Sequence, residues 1–306
     1  MNYLLVLVGP TAVGKTAHSI ALAQALQCEI VSCDSRQFYK EMSLGTAVPE
    51  VHELAAAPHH FIQHKSIHET YNVGMYEKEA LAKLDELYTK SNTAILVGGS
   101  GLYVDAVLNG MDAFPPIEAA IRESIQAHYA AHGIEYLQNE LKRLDPAYYH
   151  TIQTENPQTL QNPQRLMRFV EVCVGTTKPY SSFLQKSKVI RNFTPILIGL
   201  EAAREMLYER INLRVDQMME KGLVQEVKTL QNEQDNNALQ TVGYKELFAH
   251  LNGNCTLVEA VEAIKQNTRR YAKRQLTWFK RNPNTQWFNY QTSTSTLLEY
   301  INSKRL

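Results

Sequence analysis

The sequence predicts an α/β fold: a parallel sheet core with an all-helical domain inserted into it. In the first hundred residues, short apolar runs of strand length alternate with helical patterns, as in a parallel sheet whose strands are joined by helices. Two of these runs end in glycine-rich turns. Strand patterns nearly disappear between residues 117 and 190, and a buried strand returns at 195–200. The chain therefore leaves the sheet for a helical segment and then comes back to it.

The first strand and its turn lie at residues 3–16, YLLVLVGPTAVGKT. The apolar run 4–8 ends at a glycine, and residues 9–16 match G-x-x-x-x-G-K-[ST], the phosphate-binding loop. Glycines let backbone N–H groups turn inward, and the following helix points its positive end at an anion. We expect Lys15 to reach the terminal phosphate and the Thr16 hydroxyl to bind Mg²⁺. An accidental glycine turn would not explain strand, loop and helix in this order, so the motif indicates a diphosphate or triphosphate ligand.

Length, charge and cysteine content limit the class of protein. The 306 residues, 44% of them hydrophobic, suffice for a large core and two units. Formal charge balances at 31 basic and 31 acidic residues, so a nucleic-acid site would have to be a local patch. The four cysteines form no CxxC pair, which favours free thiols over a disulfide framework. No stretch resembles a signal peptide or approaches a membrane span. We therefore expect a soluble cytoplasmic protein, and nothing demands an oligomer, so we expect a monomer.

A carboxylate follows the second predicted strand. Residues 17–27 have a helical pattern, and 29–33 form a short strand that ends in Asp34-Ser35-Arg36-Gln37. Open α/β sheets bind their ligands beyond the carboxyl ends of strands. Two interpretations of Asp34 remain open at this point. It is either a functional carboxylate or the N-cap of a helix that follows.

Histidines are concentrated after a predicted loop at 43–49. No cysteine or aspartate joins them at ligand spacing, and the apolar pair Phe61-Ile62 interrupts them. We therefore favour a strand at the edge of the sheet, at 58–62, over a metal site. The histidines concerned are His52, His59, His60, His64 and His68.

A second glycine turn follows the third predicted strand. A helical pattern at 75–90 precedes the apolar run 93–97, and Gly98-Gly99-Ser100-Gly101 then opens a helix at 102–109. We expect this turn beside the phosphate loop. The strand ends without the Asp or Glu that organises Mg²⁺ in an ordinary ATPase, and Asp34 is the nearest substitute.

The middle of the chain changes character at Pro115-Pro116. Residues 117–190 read as several short amphipathic helices punctuated by prolines, and 164–168, QRLMR, lie near the start of the clearest one. The strand at 195–200 marks the return to the sheet.

Basic residues follow this strand on two predicted helices. Arg204, Arg210 and Arg214 lie on the first, and the latter two share a face because they are four residues apart. A long helix at about 256–281 has an apolar seam and a second half without acidic residues. A solvated face normally mixes signs, so this helix favours contact with a nucleic-acid backbone. Its basic residues are Lys265, Arg269, Arg270, Lys273, Arg274, Lys280 and Arg281.

Along nearly its whole length the chain resembles the tRNA dimethylallyltransferase family, also called tRNA isopentenyltransferases. Apart from the phosphate loop each match is modest, but their order and spacing together are highly specific. The matching stretches are GPTAVGKT at 9–16, DSRQFY at 34–39, LGTAVP at 44–49, PHHFI at 58–62, GGSGLY at 98–103, NPQRLMRFVEV at 162–172, LYERINLRVDQMMEKGLVQEV at 207–227, VGYKEL at 242–247 and TRRYAKRQLTWF at 268–279.

The resemblance implies a prenyl transfer to tRNA. The dimethylallyl group of dimethylallyl diphosphate would move to N6 of the adenine immediately 3′ of the anticodon, in tRNAs reading codons that begin with U. It also implies a P-loop-kinase-like catalytic core at 1–115 and 195–306, with a helical insertion at 116–194 that contacts the anticodon stem-loop. Mg²⁺ is the implied cofactor.

The resemblance also assigns site residues. Those implied for catalysis are Asp34, as the general base, with Ser100 and Lys15. Those implied for the diphosphate are Gly9, Pro10, Thr11, Ala12, Val13, Gly14, Lys15, Thr16, Arg204 and Arg214, with Thr16 on the metal. Those implied for tRNA are Asp34, Ser35, Arg36, Gln37, Ser100, Arg122, Gln164, Arg165, Leu166, Met167, Arg168, Arg270, Lys273 and Arg274.

Three positions depart from the family pattern: Ser100 replaces a threonine, Val48 a lysine and Gln63 an aspartate. None lies in the phosphate loop, so they bear on substrate affinity more than on reaction type. Two other functions remain as alternatives. One is a small-molecule or nucleotide kinase, and the other is an RNA-binding module switched by a nucleoside triphosphate.

Overall fold

The computed structural model describes residues 1–184 and 189–305, which form two compact units. The larger unit contains Met1–Gly110 and Ile190–Leu306, and the smaller contains Met111–Val189. Both borders lie slightly before the boundaries predicted from the sequence. Within the described ranges, no helix is long and apolar enough to cross a membrane.

The larger unit is built on a six-stranded parallel sheet, which confirms the predicted fold class. The strands are β1 (Asn2–Val8), β2 (Ile30–Ser32), β3 (His59–His60), β4 (Thr93–Gly98), β5 (Phe193–Glu201) and β6 (Gln286–Asn289). Their order across the sheet is β3-β2-β4-β1-β5-β6, with parallel pairing throughout. The carboxyl ends of all these strands therefore face the same edge.

The helices of both units follow in chain order. They are α1 (Lys15–Leu26), α2 (Val51–Ala56), α3 (Val73–Tyr88), α4 (Gly101–Asn109), α5 (Ala119–His132), α6 (Ile134–Leu144), α7 (Pro146–Glu155), α8 (Pro163–Thr176), α9 (Arg204–Glu220), α10 (Leu223–Thr229), α11 (Tyr244–Leu251), α12 (Leu257–Phe279) and α13 (Thr294–Lys304). Short 3₁₀ turns occur at Pro157–Gln161, Tyr180–Phe183, Gln231–Glu233 and Asn237–Leu239.

Strand β1 is buried on both faces, which explains its unbroken apolar run. Leu4, Val6 and Val8 belong to a core that also contains Tyr76 of α3. Their neighbours on β1 point to the opposite face and join a second core, to which α1 and α13 contribute. This burial on both sides holds the end of β1, and so the start of the phosphate loop, in a fixed place.

Most elements of the larger unit lie where the sequence predicted them. The edge strand expected at 58–62 is present as β3, and the long helix expected at about 256–281 is α12. Thr256 and Glu259 form a capping box at the start of α12. No sequence pattern predicted α2, β6 or α13. Strand β6 is short and exposed at both ends, so it has no clear period-two apolar pattern.

In its described residues, the smaller unit consists of helices and 3₁₀ turns. Leu137, Leu141, Leu166 and Val170 are fully buried in its core. The buried side chain of Asp145 caps α7 by accepting from the N–H of Tyr148, and it also accepts from the N–H of Ser181 at 2.8 Å. One carboxylate thus fastens two segments of this unit.

Candidate active site

The phosphate loop, residues 9–16, leads from β1 into the first turn of α1. Gly14 is the residue before the helix and has a left-handed backbone with φ of 106°, and Ala12 has φ of 64°. No side chain caps the N-terminus of α1. Backbone N–H groups at an uncapped helix N-terminus, together with the helix dipole, attract an anion. The local geometry is therefore that of a phosphate cradle.

Side chains from two other helices hold the tip of this loop from outside. The N–H of Thr11 donates to Oε1 of Gln275 at 2.8 Å, and Arg214 donates from Nη1 to the Thr11 hydroxyl at 3.1 Å. Arg210 donates from Nε to the carbonyl of Ala12 at 2.7 Å. These contacts fasten the loop to α9 and α12.

Arg204 is not brought to this loop, contrary to the implied diphosphate role. It is the exposed first residue of α9, and its guanidinium lies over the ring of Tyr208 at 5.1 Å. At 1.5 Å per residue it lies about 15 Å from Arg214 along the helix axis. Arg210, in contrast, lies on the same face of α9 as Arg214, because residues four apart on a helix are neighbours. Arg210 and Arg214 are therefore the two arginines of α9 that contact the loop.

Lys15 is partly buried and folds back onto its own loop. Its ammonium donates to the carbonyls of Gly9 at 3.0 Å and Pro10 at 2.8 Å. Burial lowers the pKa of Lys15 to about 8, although the nearby Asp34 carboxylate opposes this shift. The Lys15 ammonium therefore already lies inside the site. It could exchange its hydrogen bonds to these two neutral carbonyls for hydrogen bonds to an anionic diphosphate.

Asp34 lies beyond the end of β2 and caps a turn rather than a helix. Its Oδ1 accepts from the N–H of Arg36 at 3.3 Å, and the next helix in the described chain is α2, at Val51. The alternative interpretation as a helix N-cap was therefore wrong. Burial raises the pKa of Asp34, while the Lys15 ammonium opposes that rise. A partly buried carboxyl near a lysine, with a raised pKa, is typical of a functional group.

The second turn, residues 98–101, lies beside the phosphate loop as expected, because Gly98 of β4 is paired with Val8 of β1. The Ser100 hydroxyl accepts from the N–H of Ser35 at 3.0 Å and is 3.1 Å from the Ser35 hydroxyl. A Cβ on Gly98 would lie 2.9 Å from the backbone nitrogen of Asp34. The absence of a side chain at Gly98 thus lets the Asp34 segment pack directly on this turn.

One stripe of α12 packs against the second turn, and the sequence analysis did not assign it to the site. Trp278 lies against Gly101, and Gln275 lies against Gly99. The side chains of Ser100 and Tyr271 are hydrogen-bonded to each other. Burial raises the pKa of the Tyr271 hydroxyl, and Asp34 adds to that rise. The signal in the sequence was the i, i+4, i+7 spacing of Tyr271, Gln275 and Trp278, with an amide inside an otherwise apolar stripe.

A cavity of about 980 Å³ brings many of the predicted residues together. The predicted residues that line it are Thr11, Ala12, Gly14, Lys15, Thr16, Asp34, Ser35, Arg36, Gln37, Arg214 and Arg274. Val13 is fully buried, so its side chain supports the loop from the core. The phosphate cradle, the Asp34 carboxylate and one arginine of α12 therefore line the same cavity.

The loop at 43–49 forms part of the cavity wall and is anchored by Glu226 of α10. This carboxylate accepts from the N–H groups of Ser43, Leu44 and Gly45 at 3.2, 2.7 and 3.1 Å. It also accepts from the Tyr244 hydroxyl at 2.6 Å. No sequence pattern singled out Glu226, because three of its four partners are backbone groups far away in the chain.

Two of the residues predicted to contact tRNA have structural partners. Gln37 donates its amide to the carbonyls of Thr46 and Ala47, and Arg36 donates to the carbonyl of Ala238 at 2.9 Å. Gln63, one of the departures from the family pattern, donates to the Ser43 hydroxyl at 2.7 Å. These contacts fasten the cavity wall from the side of the sheet.

The basic surface of α12 is narrower than the sequence suggested. Lys265 forms ion pairs with Asp216 and Glu262, and Lys280 pairs with Glu201 at 2.9 Å. These acidic partners lie outside the basic half of the helix, so the sequence of that half could not reveal them. The exposed basic residues that line the patch are Arg270, Lys273 and Arg274.

In the smaller unit the structure corrects part of the predicted tRNA contact. Leu166 is fully buried in the helical core, so its side chain cannot contact RNA. Arg122 and Arg168 each lie 3.1 Å from the same carboxylate, that of Glu171, which is 8% exposed. Glu171 therefore neutralises part of their charge. The remaining predicted residues are the exposed Gln164 and Arg165 and the half-buried Met167.

A bound metal ion would need some of its ligands from the substrate. In the described part of the chain, no group of three or more His, Cys, Asp or Glu residues is arranged to hold a metal. His60 instead lies 2.6 Å from Glu29, and His64 packs among Phe38, Phe61 and Tyr71. Mg²⁺ commonly combines few protein ligands with substrate phosphates and water. The Thr16 hydroxyl in the cavity wall fits that arrangement.

These features define a P-loop enzyme in which a phosphate cradle and a partly buried carboxylate share one cavity beneath a basic helix. A family model described as IPP transferase matches residues 37–282. The tRNA dimethylallyltransferase of Flavobacterium johnsoniae is 63% identical over 301 residues, 98% of this chain and 97% of that protein. The chain therefore belongs to the IPP transferase family, the tRNA dimethylallyltransferases.

Solved structures agree with this assignment. The tRNA isopentenylpyrophosphate transferase of Bacillus halodurans is 35% identical, with a TM-score of 0.71, and the match covers 99% of this chain and 95% of that one. A eukaryotic dimethylallyltransferase acting on tRNA has a TM-score of 0.83 over all of this chain and 81% of its own. At 23% identity, that second likeness concerns the fold alone.

Proposed function

We propose that this protein transfers the dimethylallyl group from dimethylallyl diphosphate to N6 of the adenine immediately 3′ of the anticodon, in tRNAs reading codons that begin with U. The products are N6-dimethylallyladenosine and diphosphate. The observation that carries the proposal is the shared cavity, in which Asp34 and the phosphate loop lie together in a chain of this family. We expect the enzyme to act in the cytoplasm on tRNA, and we expect it to be a monomer.

In this proposal the diphosphate occupies the phosphate loop. Backbone N–H groups of the loop, Lys15 and Arg214 would neutralise its charge as it leaves. The Thr16 hydroxyl would hold Mg²⁺ together with diphosphate oxygens, and that ion would supply additional charge stabilisation to the leaving group. Arg210 would keep the loop in shape through the carbonyl of Ala12.

The adenine would enter the same cavity from the side of Asp34. The bond from N6 to the allylic carbon forms while the bond from that carbon to the diphosphate oxygen breaks. The nitrogen must lose a proton, and the Asp34 carboxylate would accept it as general base. Ser100 and Tyr271 would orient groups near this carboxylate, because Ser100 lies in the second turn and Tyr271 of α12 packs against that turn.

The RNA would meet the exposed patch of Arg270, Lys273 and Arg274 on α12, since phosphates bind to such clusters. The smaller unit, through Gln164, Arg165 and Arg168, would contribute the other contacts to the anticodon stem-loop. The acid that is missing after β4 suits a loop that holds a leaving diphosphate, because no water has to be aligned for hydrolysis of a γ-phosphate.

A single experiment separates this function from the kinase and the nucleotide-switched RNA-binding module. The protein is incubated with radiolabelled dimethylallyl diphosphate and unmodified tRNA in Mg²⁺, without ATP, and label in RNA is counted. A matched tRNA with guanine in place of the target adenine is the control. We expect label in the first tRNA only. Stoichiometric ATP consumption would support a kinase, and RNA affinity that depends on nucleotide without transfer would support the binding module.

A further inference from the structure

A buried amide joins the two glycine turns of the site. Oε1 of Gln275 accepts from the N–H of Thr11 in the phosphate loop at 2.8 Å. Its Nε2 donates to the carbonyl of Gly99 in the second turn at 2.9 Å. The side chain is only 5% exposed, so water does not replace these partners readily.

The approach of Gln275 to the second turn is very close. A Cβ at Gly99 would lie 2.2 Å from its Nε2, so the turn can receive the amide only because residue 99 is glycine. The other side chains described above contact one turn each: Arg210 and Arg214 hold the phosphate loop, and Trp278 packs on the second turn. Among the described residues, Gln275 is the side chain whose hydrogen bonds reach both.

We propose that Gln275 is a positioning residue that sets the separation of the two turns, and thereby aligns the leaving diphosphate with the attacking nitrogen. This inference rests on the proposed transfer reaction. The diphosphate would be held by the phosphate loop, whereas Asp34 packs on the second turn. Reacting atoms must meet at about 3–3.5 Å, and a misplacement of about 1 Å can cost roughly 10²-fold in rate. A tie between the two turns therefore acts on the transfer step itself.

The test is Gln275→Met, which keeps the length of the side chain and removes both hydrogen bonds. The rate of a single turnover is measured with both substrates saturating, at a temperature where unfolding scans show the variant folded. Affinities for inorganic pyrophosphate and for an anticodon stem-loop are measured separately. Gln266→Met is the control, because Gln266 is an exposed amide on the same helix.

We expect the Gln275→Met rate to fall roughly 10²-fold, with both affinities close to those of the wild type and Gln266→Met unchanged. A merely structural role would lower thermal stability and leave the rate of the folded enzyme intact, which would overturn the proposal. A rate loss matched by an equal loss of pyrophosphate affinity would also overturn it, since Gln275 would then shape the phosphate loop alone.

A second variant keeps the test decisive if Gln275→Met does not fold. Gln275→Glu is isosteric and can still accept from Thr11, but it cannot donate to the carbonyl of Gly99. We expect it to be slower than the wild type at saturating substrate; an equal rate would mean that the tie to the second turn is not used. Wild-type enzyme that labels no tRNA would refute the proposed function instead, so the two failures are distinguishable.

Discussion

The two glycine turns of the site end neighbouring parallel strands and open helices, yet they need glycine for different reasons. Gly14 has φ of 106°, and a Cβ there would meet only Arg210 at 3.9 Å, so the backbone conformation requires glycine and space does not. At Gly99 and Gly101 the backbone is ordinary, but a Cβ would lie 2.2 Å from Gln275 and from Trp278. The phosphate loop is shaped to receive an anion, and the second turn is shaped to receive a helix.

The turns also differ in charge. The phosphate loop is surrounded by Lys15, Arg210 and Arg214, whereas the second turn is surrounded by Asp34 and hydroxyl groups. The cavity therefore has one end that would stabilise a departing anion and another that would accept a proton. The ends of two neighbouring strands therefore have different roles: one turn would stabilise the leaving group, and the other would hold the base. Five predictions test this difference.

The largest effect is expected for Asp34→Asn, beside the second turn. The amide keeps the shape but cannot take the proton, so we expect the single-turnover rate to fall roughly 10²–10⁴-fold with tRNA affinity nearly unchanged. Single-turnover transfer of label at saturating tRNA measures this. If raising Mg²⁺ restores the rate, Asp34 organises the water shell of the metal and the two ends of the cavity do not divide the work as described.

Lys15→Ala tests the opposite end. Losing a positive charge that stabilises the leaving diphosphate should lower the rate roughly 10²–10³-fold, as for loss of an oxyanion donor. tRNA binding, followed by gel shift, should survive, because Lys15 faces the loop. Lys78→Ala, at an exposed position of α3, is the matched control. Near-normal turnover of Lys15→Ala would refute the assignment of the phosphate loop as the end that stabilises the departing anion.

Gly101→Ala tests the claim that the second turn receives a helix. Overpacking against Trp278 should cost about 1–3 kcal/mol of unfolding free energy, seen as a lower urea midpoint. Gly74→Ala is the control, since a Cβ there meets only the Asn72 side chain at 3.4 Å. Equal midpoints for both variants would mean that the turn and helix do not fit as tightly as described.

The pH profile of kcat/KM should report the titration of one group at each end of the cavity, Asp34 and Lys15. Burial raises the pKa of Asp34, so the base is lost by protonation at a higher pH than an ordinary aspartate. Burial lowers the pKa of Lys15 to about 8, so its positive charge is lost above that pH. We expect a bell, with the alkaline limb falling about tenfold per pH unit. Lys15→Arg should flatten that limb alone; an unchanged limb would assign it to another group.

The smallest effect on chemistry is expected on the outer face of α12. Changing Arg270, Lys273 and Arg274 together to glutamine leaves both turns intact, so the rate at saturating tRNA should hold. The slope of log K against log salt should flatten by about 0.7–0.9 for each lost phosphate contact. A salt titration of stem-loop binding measures it. An unchanged slope would mean that this patch is a solvated surface.

The sequence by itself determined the features that depend on neighbours in the chain. Residues 9–16 specify strand, loop and helix within one local motif, and the apolar runs specify the parallel sheet. Asp34 was found because the end of a parallel strand is a known place for ligands. The approximate position of α12 followed from its apolar seam.

Only the tertiary structure decided which side chains reach the site from far away in the chain. Gln275 and Glu226 bind backbone groups, and a backbone partner leaves no trace in the residue types around it. Arg204 and Arg210 look alike in sequence, but helical phase and rise bring only Arg210 to the phosphate loop. Leu166 stands among residues of a tRNA-contacting pattern, yet it belongs to the core, because burial depends on what packs against a helix. Sequence patterns record local periodicity, whereas these assignments depend on distances across the fold.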